Sequence, residues 1–346
     1  MKTILFYVSD HGFGHATRCI ALTQMLKKHF NIVIKNHNSF KFLSNSLNGC
    51  KIYDLKTDSG PIYDWNLDQL NYNQSLFSFK KFIANSPSWL NEEFDFCKKI
   101  KPDLIISDIS PISLRLSKKT HIPSVSITNF SWSDILETFP VSKDRDDVLD
   151  WLDESFSYSD HALCLPLNMN LRGYRKKKHA SLLTRKTTVN LNVLKKKLKI
   201  KRKLILSYSN QKLLFSKKIR TNYDLLEIRK NKIFLNNILL DEIYEGQNLT
   251  AIADCVISKI GYGMVSDCVK YKIPMLLFSR KNYPEDIVIQ KKLSRLNIFL
   301  TMSDPYSKIV LEDIQKVISL KNSIDLKRLE KFEKGKNCID FITEFL

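Results

Sequence analysis

An apolar run that stops at a glycine-bearing turn and restarts as a helical pattern is the strongest constraint in this chain. Residues 3–9, TILFYVS, read as a buried strand, SDHGFGH follows, and apolar positions 20, 22, 25 and 30 predict a helix over about 19–30. The chain has only nine glycines, yet Gly12 and Gly14 stand here beside His11 and His15. Gly261 and Gly263 repeat the arrangement after the run DCVIS at 254–258, again ahead of a helical pattern that continues to about Tyr271. Glycines at a strand–helix turn let backbone approach a ligand closely, and the helix start offers unpaired N–H groups. A tight turn without any ligand is the plain alternative for either pair alone. Two pairs at equivalent places predict one ligand-binding turn in each half of the chain.

The rest of the pattern extends this alternation. Short strands are predicted at 31–35, 52–53, 102–108 and 123–128, with helices over about 75–100 and 111–119. Asp108 closes the third of these strands. The alternation resumes with strands at 203–208, from Lys232, at 254–258 and at 274–278, and the last 20 residues form a charged, amphipathic terminal helix. Strands alternating with helices give parallel sheets covered on both faces. A chain of 346 residues exceeds one ordinary core, so two α/β halves joined near 165–200 are expected. The N-terminus reads as a strand rather than a leader. No apolar run approaches the roughly 18–20 residues of a membrane span. Seven cysteines (19, 50, 97, 164, 255, 268 and 338) show no metal-ligand spacing and read as reduced, packed thiols of a cytoplasmic protein.

Charge is the unusual total. A net charge of +19 favours polyanions such as nucleic acid, an anionic membrane surface or a phosphorylated substrate. A lysine-rich coding bias is the alternative source. The distribution is uneven: residues 172–203 hold 14 Lys or Arg and no acid. Such a run is a solvated surface, a mobile connection, or a strip that binds phosphates.

Four stretches carry a resemblance: DHGFGHATR, KPDLIISDISP, SVSITNFSW and ADCVISKIGYGMVSDCVKYKIPMLLFSR. In this order they resemble the glycosyltransferase-like N-terminal domain of L-arabinokinases and, more distantly, GT-B enzymes such as the UDP-glycosyltransferases. The resemblance spans about residues 3–295. It implies an α/β GT-B fold, two Rossmann-like parallel-sheet domains facing across a cleft. The implied domains are an acceptor-side domain over 1–170, a nucleotide-sugar domain over 171–325, and a terminal helix over 326–346 packing back on the first. The kinase domain of arabinokinases has no counterpart here, so galactokinase-like activity is not expected.

The resemblance also implies roles. His15 stands at the position of the general base, with His11 as its substitute and Asp108 placed to orient the imidazole. Gly261, Tyr262 and Gly263 would cradle the diphosphate of a UDP-sugar co-substrate, with no bound cofactor and no metal. Asp267 stands where relatives carry a ribose-binding glutamate, and Glu285 and Asp286 match an acidic position that holds sugar hydroxyls. Gly14 and Arg18 belong to the donor side, Arg18 as a neutraliser of phosphate charge. A departure lies at 207–211, SYSNQ, where relatives have a glycine-rich turn. Asn129, Trp132, Arg175, Lys176 and Lys177 are the expected acceptor contacts, with a core position as the alternative for Trp132.

The implied activity is inverting transfer of a sugar, a pentose such as arabinose, to a hydroxyl of an anionic acceptor. A hydroxymethylated DNA base is favoured over a lipid-linked or polysaccharide acceptor. A nucleotide-sugar-binding module without catalysis is the alternative. No protein partner is inferred.

Overall fold

Thr3–Val8 (β1) buries five consecutive residues, so it must run through the middle of a sheet covered on both faces. The computed structural model describes residues 1–64, 67–209, 213–230, 232–240, 242, 244–302 and 307–346. The chain forms two units: residues 1–183, 282–288 and 332–346 in one, and 184–281 with 289–331 in the other.

In the first unit β1 is joined by Asn31–Lys35 (β2), Lys51–Tyr53 (β3), Leu104–Asp108 (β6), Ser124–Thr128 (β7), His161–Cys164 (β8) and Lys177–His179 (β9). A separate two-stranded hairpin consists of Tyr63–Asp64 (β4) and Gln69–Leu70 (β5). The sheet order is β3-β2-β1-β6-β7-β8-β9, all parallel. Helices Phe13–Leu26 (α1), Phe40–Ser46 (α2), Tyr72–Ile100 (α3), Pro111–Thr120 (α4), Trp132–Leu136 (α5) and Lys143–Ser157 (α6) connect these strands. The first helix begins at Phe13, ahead of the apolar periodicity, because Gly12 caps it with φ 86°, a backbone state that excludes an earlier start.

Strand order reverses between β1 and β6, which places the turn after β1 and Asp108 at a topological switch point. A buried ion pair holds α3 against this sheet. Glu93 accepts from the Tyr7 hydroxyl and from Lys35 Nζ at 3.1 Å, while the ammonium sits 3.5 Å from the centre of the Phe96 ring.

The second unit contains Leu191–Lys197 (α7), Leu204–Tyr208 (β10), Lys217–Asn222 (α8), Asp224–Arg229 (β11), Lys232–Leu235 (β12), Ile238–Leu240 (β13), Gly246–Ile252 (α9), Cys255–Lys259 (β14), Tyr262–Tyr271 (α10) and Met275–Phe278 (β15). Then come Pro284–Leu293 (α11), whose first residues count with the first unit, Phe299–Met302 (β16), Leu311–Ser319 (α12) and Leu326–Glu330 (α13). Its sheet runs β13-β12-β11-β10-β14-β15-β16, with the switch between β10 and β14. The strand starting at Lys232 is antiparallel to β11, and no helix intervenes. Asn236 and Asn237 both take positive φ, 50° and 69°, the requirement of the tight turn that joins β12 to β13.

The terminal region is two helices instead of one. After α13 the chain returns to the first unit, where Cys338–Phe345 (α14) packs against α1 and sets Phe341 edge-on to the His161 ring. On the way, Lys336 pairs with the segment after β9: Ser181 N donates to Lys336 O at 3.0 Å, and Lys336 N donates to His179 O at 3.0 Å. The adjacent Gly335 lies so close that a Cβ would meet the Ala180 carbonyl carbon at 2.0 Å. Gly335→Val is therefore expected to push this segment off the sheet, lowering stability by about 1–3 kcal/mol, the range for overpacking. Urea unfolding, with limited proteolysis near 332–346, reads the change.

Candidate active site

The turn after β1 is organised by a carboxylate. Asp10 Oδ1 accepts from Asn36 Nδ2 (2.9 Å), His37 N (2.8 Å) and Asn38 N (3.0 Å), and Oδ2 accepts from Thr57 N (2.8 Å). One side chain thus gathers the chain beyond β1, β2 and β3. Gly12 then starts α1 without a side-chain cap, and Gly14 in its first turn faces open space.

His15 lies on that first turn, 6% exposed. Its Nδ1 is 3.0 Å from Asp108 Oδ1. Arg18, one helical turn further, donates Nε to Asp108 Oδ2 at 2.8 Å and Nη2 to Oδ1, so the carboxylate is gripped on both oxygens. Arg18 Nη1 donates to Asn129 Oδ1 at 2.5 Å, and Asn129 Nδ2 donates to Glu285 Oε1 at 3.0 Å. Burial pushes the Asp108 carboxyl up, but the Arg18 charge and His15 outweigh it and hold the carboxyl below the usual carboxylate range.

Arg18 Nη2 also lies 2.6 Å from His15 Nδ1. When Nδ1 carries its proton, both donors share Asp108 Oδ1, and Nε2 keeps a lone pair. Among the described residues Nε2 has no hydrogen-bond partner. That tautomer is the one a general base needs.

Three of the residues expected at ligand positions are buried and engaged within the first unit. Arg18 is 4% exposed and engaged by Asp108 and Asn129, so it does not reach donor phosphates. Asn129 is fully buried, a bridge between Arg18 and Glu285 and not an acceptor contact. Trp132 is fully buried too, with Nε1 donating to Asp58 Oδ2 at 3.0 Å, so it is core. His11 packs edge-on against Trp132, with ring centroids 5.0 Å apart. Gly60 presses on the same imidazole: a Cβ there would meet His11 Nδ1 at 2.5 Å.

Asp58 was not among the expected site residues. It accepts from Asp10 N at 2.9 Å as well as from Trp132. Burial first, and the neighbouring Asp10 charge second, push its carboxyl up to about 7.

In the second unit Gly261 precedes α10 in extended backbone, with nothing near its α-carbon to oppose a side chain. Gly263 lies in the first turn of α10, and Tyr262 is buried. Asp267, on the same helix, is paired with Arg185 Nη2 at 3.5 Å, and Arg185 Nη1 donates to Glu245 at 3.3 Å. Burial pushes the Asp267 carboxyl up to about 6 against the opposing pull of Arg185. Arg185 was legible only as part of the basic run; its burial could not be read from it. Glu285 and Asp286 are buried at the start of α11. Asn210 and Gln211 of the SYSNQ departure lie outside the described residues.

The basic run is not one surface. Arg172 pairs with Asp153 and Glu137, and Arg185 is buried. Lys195 to Lys197 end α7. Arg175, Lys176, Lys177 and Lys178 are exposed, the last two on β9 at the sheet margin, where charged side chains oppose unwanted pairing.

The raised Asp58 gives a pH prediction. In the unfolded chain this acid ionises near its ordinary value of 3.8, whereas in the fold it holds its proton to about 7. Its contribution to stability is present below the lower value and is lost as pH rises through the upper one. Asp58→Asn loses one acceptor and should be less stable at pH 5 by about 1–3 kcal/mol. That deficit should shrink by pH 8, as denaturant unfolding at both pH values measures.

With the geometry established, likeness to other proteins can be placed. The family model "Glycosyl transferase family 1" matches residues 2–147, which contain His15, Arg18, Asp108 and Asn129. L-arabinokinase of Arabidopsis thaliana is 26% identical over 311 residues, covering 83% of this chain and 29% of that protein, so the chain spans under a third of its curated relative. Spinosyn rhamnosyltransferase SpnG, solved with thymidine diphosphate, superposes with TM-score 0.64 at 10% identity over 100% of both chains. Phytolacca americana UGT2, solved with UDP-2-fluoro-glucose and pterostilbene, gives TM-score 0.57 at 10% identity over 96% of this chain and 92% of its own. These structures share their GT-B fold with this chain, and the family match falls on the segment that builds the His15–Asp108 pair.

Proposed function

We propose that the protein transfers a sugar, with inversion, from a nucleoside-diphosphate donor to an acceptor hydroxyl, with His15 as general base. The observation that carries this reading is the buried His15–Asp108 contact at 3.0 Å at the switch point of the first sheet. His15 Nε2 takes the hydroxyl proton as the oxygen bonds to the anomeric carbon. The bond to the diphosphate breaks on the opposite face and its electron pair leaves with the phosphate. Asp108 stabilises the imidazolium that forms. On the donor side, Gly261 and the N–H groups at the start of α10 receive the diphosphate, with Tyr262 and Gly263 in that turn. Asp267 accepts from the ribose, and Glu285 and Asp286 hold sugar hydroxyls.

For the acceptor the support is electrostatic: a net charge of +19 and the exposed run Arg175 to Lys178 fit a polyanion, with modified DNA ahead of a lipid-linked or polysaccharide acceptor. The name of the arabinokinase relative is the support for a pentose donor.

Incubation with labelled UDP-arabinose, UDP-glucose and UDP-N-acetylglucosamine against DNA, lipid and glycan acceptors tests the whole reading. A donor bound tightly but never turned over supports a binding module instead. His15→Ala should lower turnover by about 10²- to 10⁴-fold with donor affinity little changed. Gly261→Val should abolish donor binding, read by calorimetry, and leave the melting temperature near that of the parent, since a Cβ there meets no protein atom within 4 Å. If the basic run from Arg172 to Lys203 engages six phosphates of duplex DNA, log K against log salt should slope by about −5, and replacement of Arg175, Lys176, Lys177 and Lys178 by Ala should flatten it. Preference for anionic vesicles at equal ionic strength would transfer the acceptor to lipid.

A further inference from the structure

Arg185 is a buried cation with loosely met donors. Its side chain is 7% exposed, yet Nη1 meets Glu245 Oε2 at 3.3 Å and Nη2 meets Asp267 Oδ2 at 3.5 Å, both long for charged partners. Among the described residues its Nε has no hydrogen-bond partner. A guanidinium carries five N–H donors, and a buried donor left unpaired is costly. Burial raises the Asp267 carboxyl to about 6 against the pull of Arg185, which agrees with a loose pair.

The backbone that carries this side chain is not loose. Tyr271 Oη donates to Arg185 O at 2.8 Å, Gln247 Nε2 donates to Lys186 O at 3.4 Å, and Thr188 N donates to Asn248 Oδ1 at 2.9 Å. Gly246, at the start of α9, lets the chain come close: a Cβ there would meet Tyr208 Oη at 3.0 Å and Arg185 Nη2 at 3.3 Å.

The three charges form a row that opens outward, since the side chains of Asp267 and Arg185 are each 7% exposed and that of Glu245 is 33% exposed. A hydroxyl accepts from a guanidinium and donates to a carboxylate, so the row suits neighbouring hydroxyls. A phosphate suits it less, because two carboxylates would repel it. Asp267 lies five residues beyond Tyr262 on α10, about 7–8 Å along the helix axis. That separation is comparable with the reach from a diphosphate to the hydroxyls of its ribose.

We propose that Arg185 is a specificity-determining residue of the donor site, donating to the ribose hydroxyl oxygens while Glu245 and Asp267 accept from the same hydroxyls, so that the site takes ribonucleoside diphosphates and rejects their 2′-deoxy counterparts. The inference rests on the reading of the α10 turn as the donor site, and it adds Arg185 and Glu245 to a contact assigned there to Asp267 alone.

Calorimetric titration of the full chain with UDP and with 2′-deoxy-UDP at pH 8, where Asp267 is ionised, tests it. The parent should bind UDP about 10- to 100-fold more tightly, the effect of leaving one buried polar group unpaired. Arg185→Lys keeps a charge for the carboxylates but loses the fork of donors, and should bring the two affinities within about threefold of each other. Glu245→Ala, at a half-buried position, should narrow the ratio in the same direction, and it carries the test should the Arg185 variant fail to fold. A merely structural arginine would weaken both nucleotides equally. Equal binding of the two nucleotides by the parent, or an unchanged ratio in the folded variants, overturns this inference alone. Binding of neither nucleotide by the parent overturns the donor reading with it.

Discussion

The buried carboxylate of Asp108 is the constraint around which the first unit is arranged. At 1% exposure it cannot rely on water, and removing one partner of such a pair costs about 3–5 kcal/mol. Its partners, Arg18 and His15, sit three residues apart on one face of α1, so that helix must start close to the end of β1 and point its first turn at β6. Gly12, at φ 86°, makes that abrupt start possible. The same demand that stabilises the acid therefore sets the imidazole in place.

Asp10 solves a second problem, the unpaired N–H groups where three strands end. Backbone donors from residues 37, 38 and 57 all converge on it, and its own N–H is received by Asp58. Hydrogen bonds to a charged acceptor contribute roughly 1.5–3 kcal/mol each, enough to hold loops that bury little apolar area. Burial and the neighbouring Asp10 push the Asp58 carboxyl up to about 7, and Trp132 completes its shell. His11 then rests on the indole, pinned by Gly60.

The second unit uses related physics with different residues. Asp267 on α10 is buried against Arg185 in the stretch that enters this unit, and the guanidinium reaches Glu245 ahead of α9. The connection between the units is thereby tied to the second sheet's helices by a buried charge. Lys196 and Lys197, at the end of α7, stay in solvent.

The alternation of strands and helices, both glycine turns, and the placement of His15 and Asp108 at strand ends were legible in the sequence, because each depends on neighbours within a few residues. Hydrophobic period and glycine position carry that information directly. The hairpin edge at β12 and the start of α1 were misread, since a turn conformation decides them and apolar period does not. The partners were not legible at all. Arg18 meets Asp108 across 90 residues and Asn129 meets Glu285 across 156, so a basic side chain read as a phosphate ligand became the counter-ion of a buried acid. Trp132 became core and the basic run was divided among an ion pair, a sheet margin and a buried guanidinium. By itself the sequence determined which segments form strands and helices and which side chains stand at their ends. Only the tertiary structure decided which charges neutralise one another, because pairing depends on strand order and burial, which bring together residues far apart in the chain.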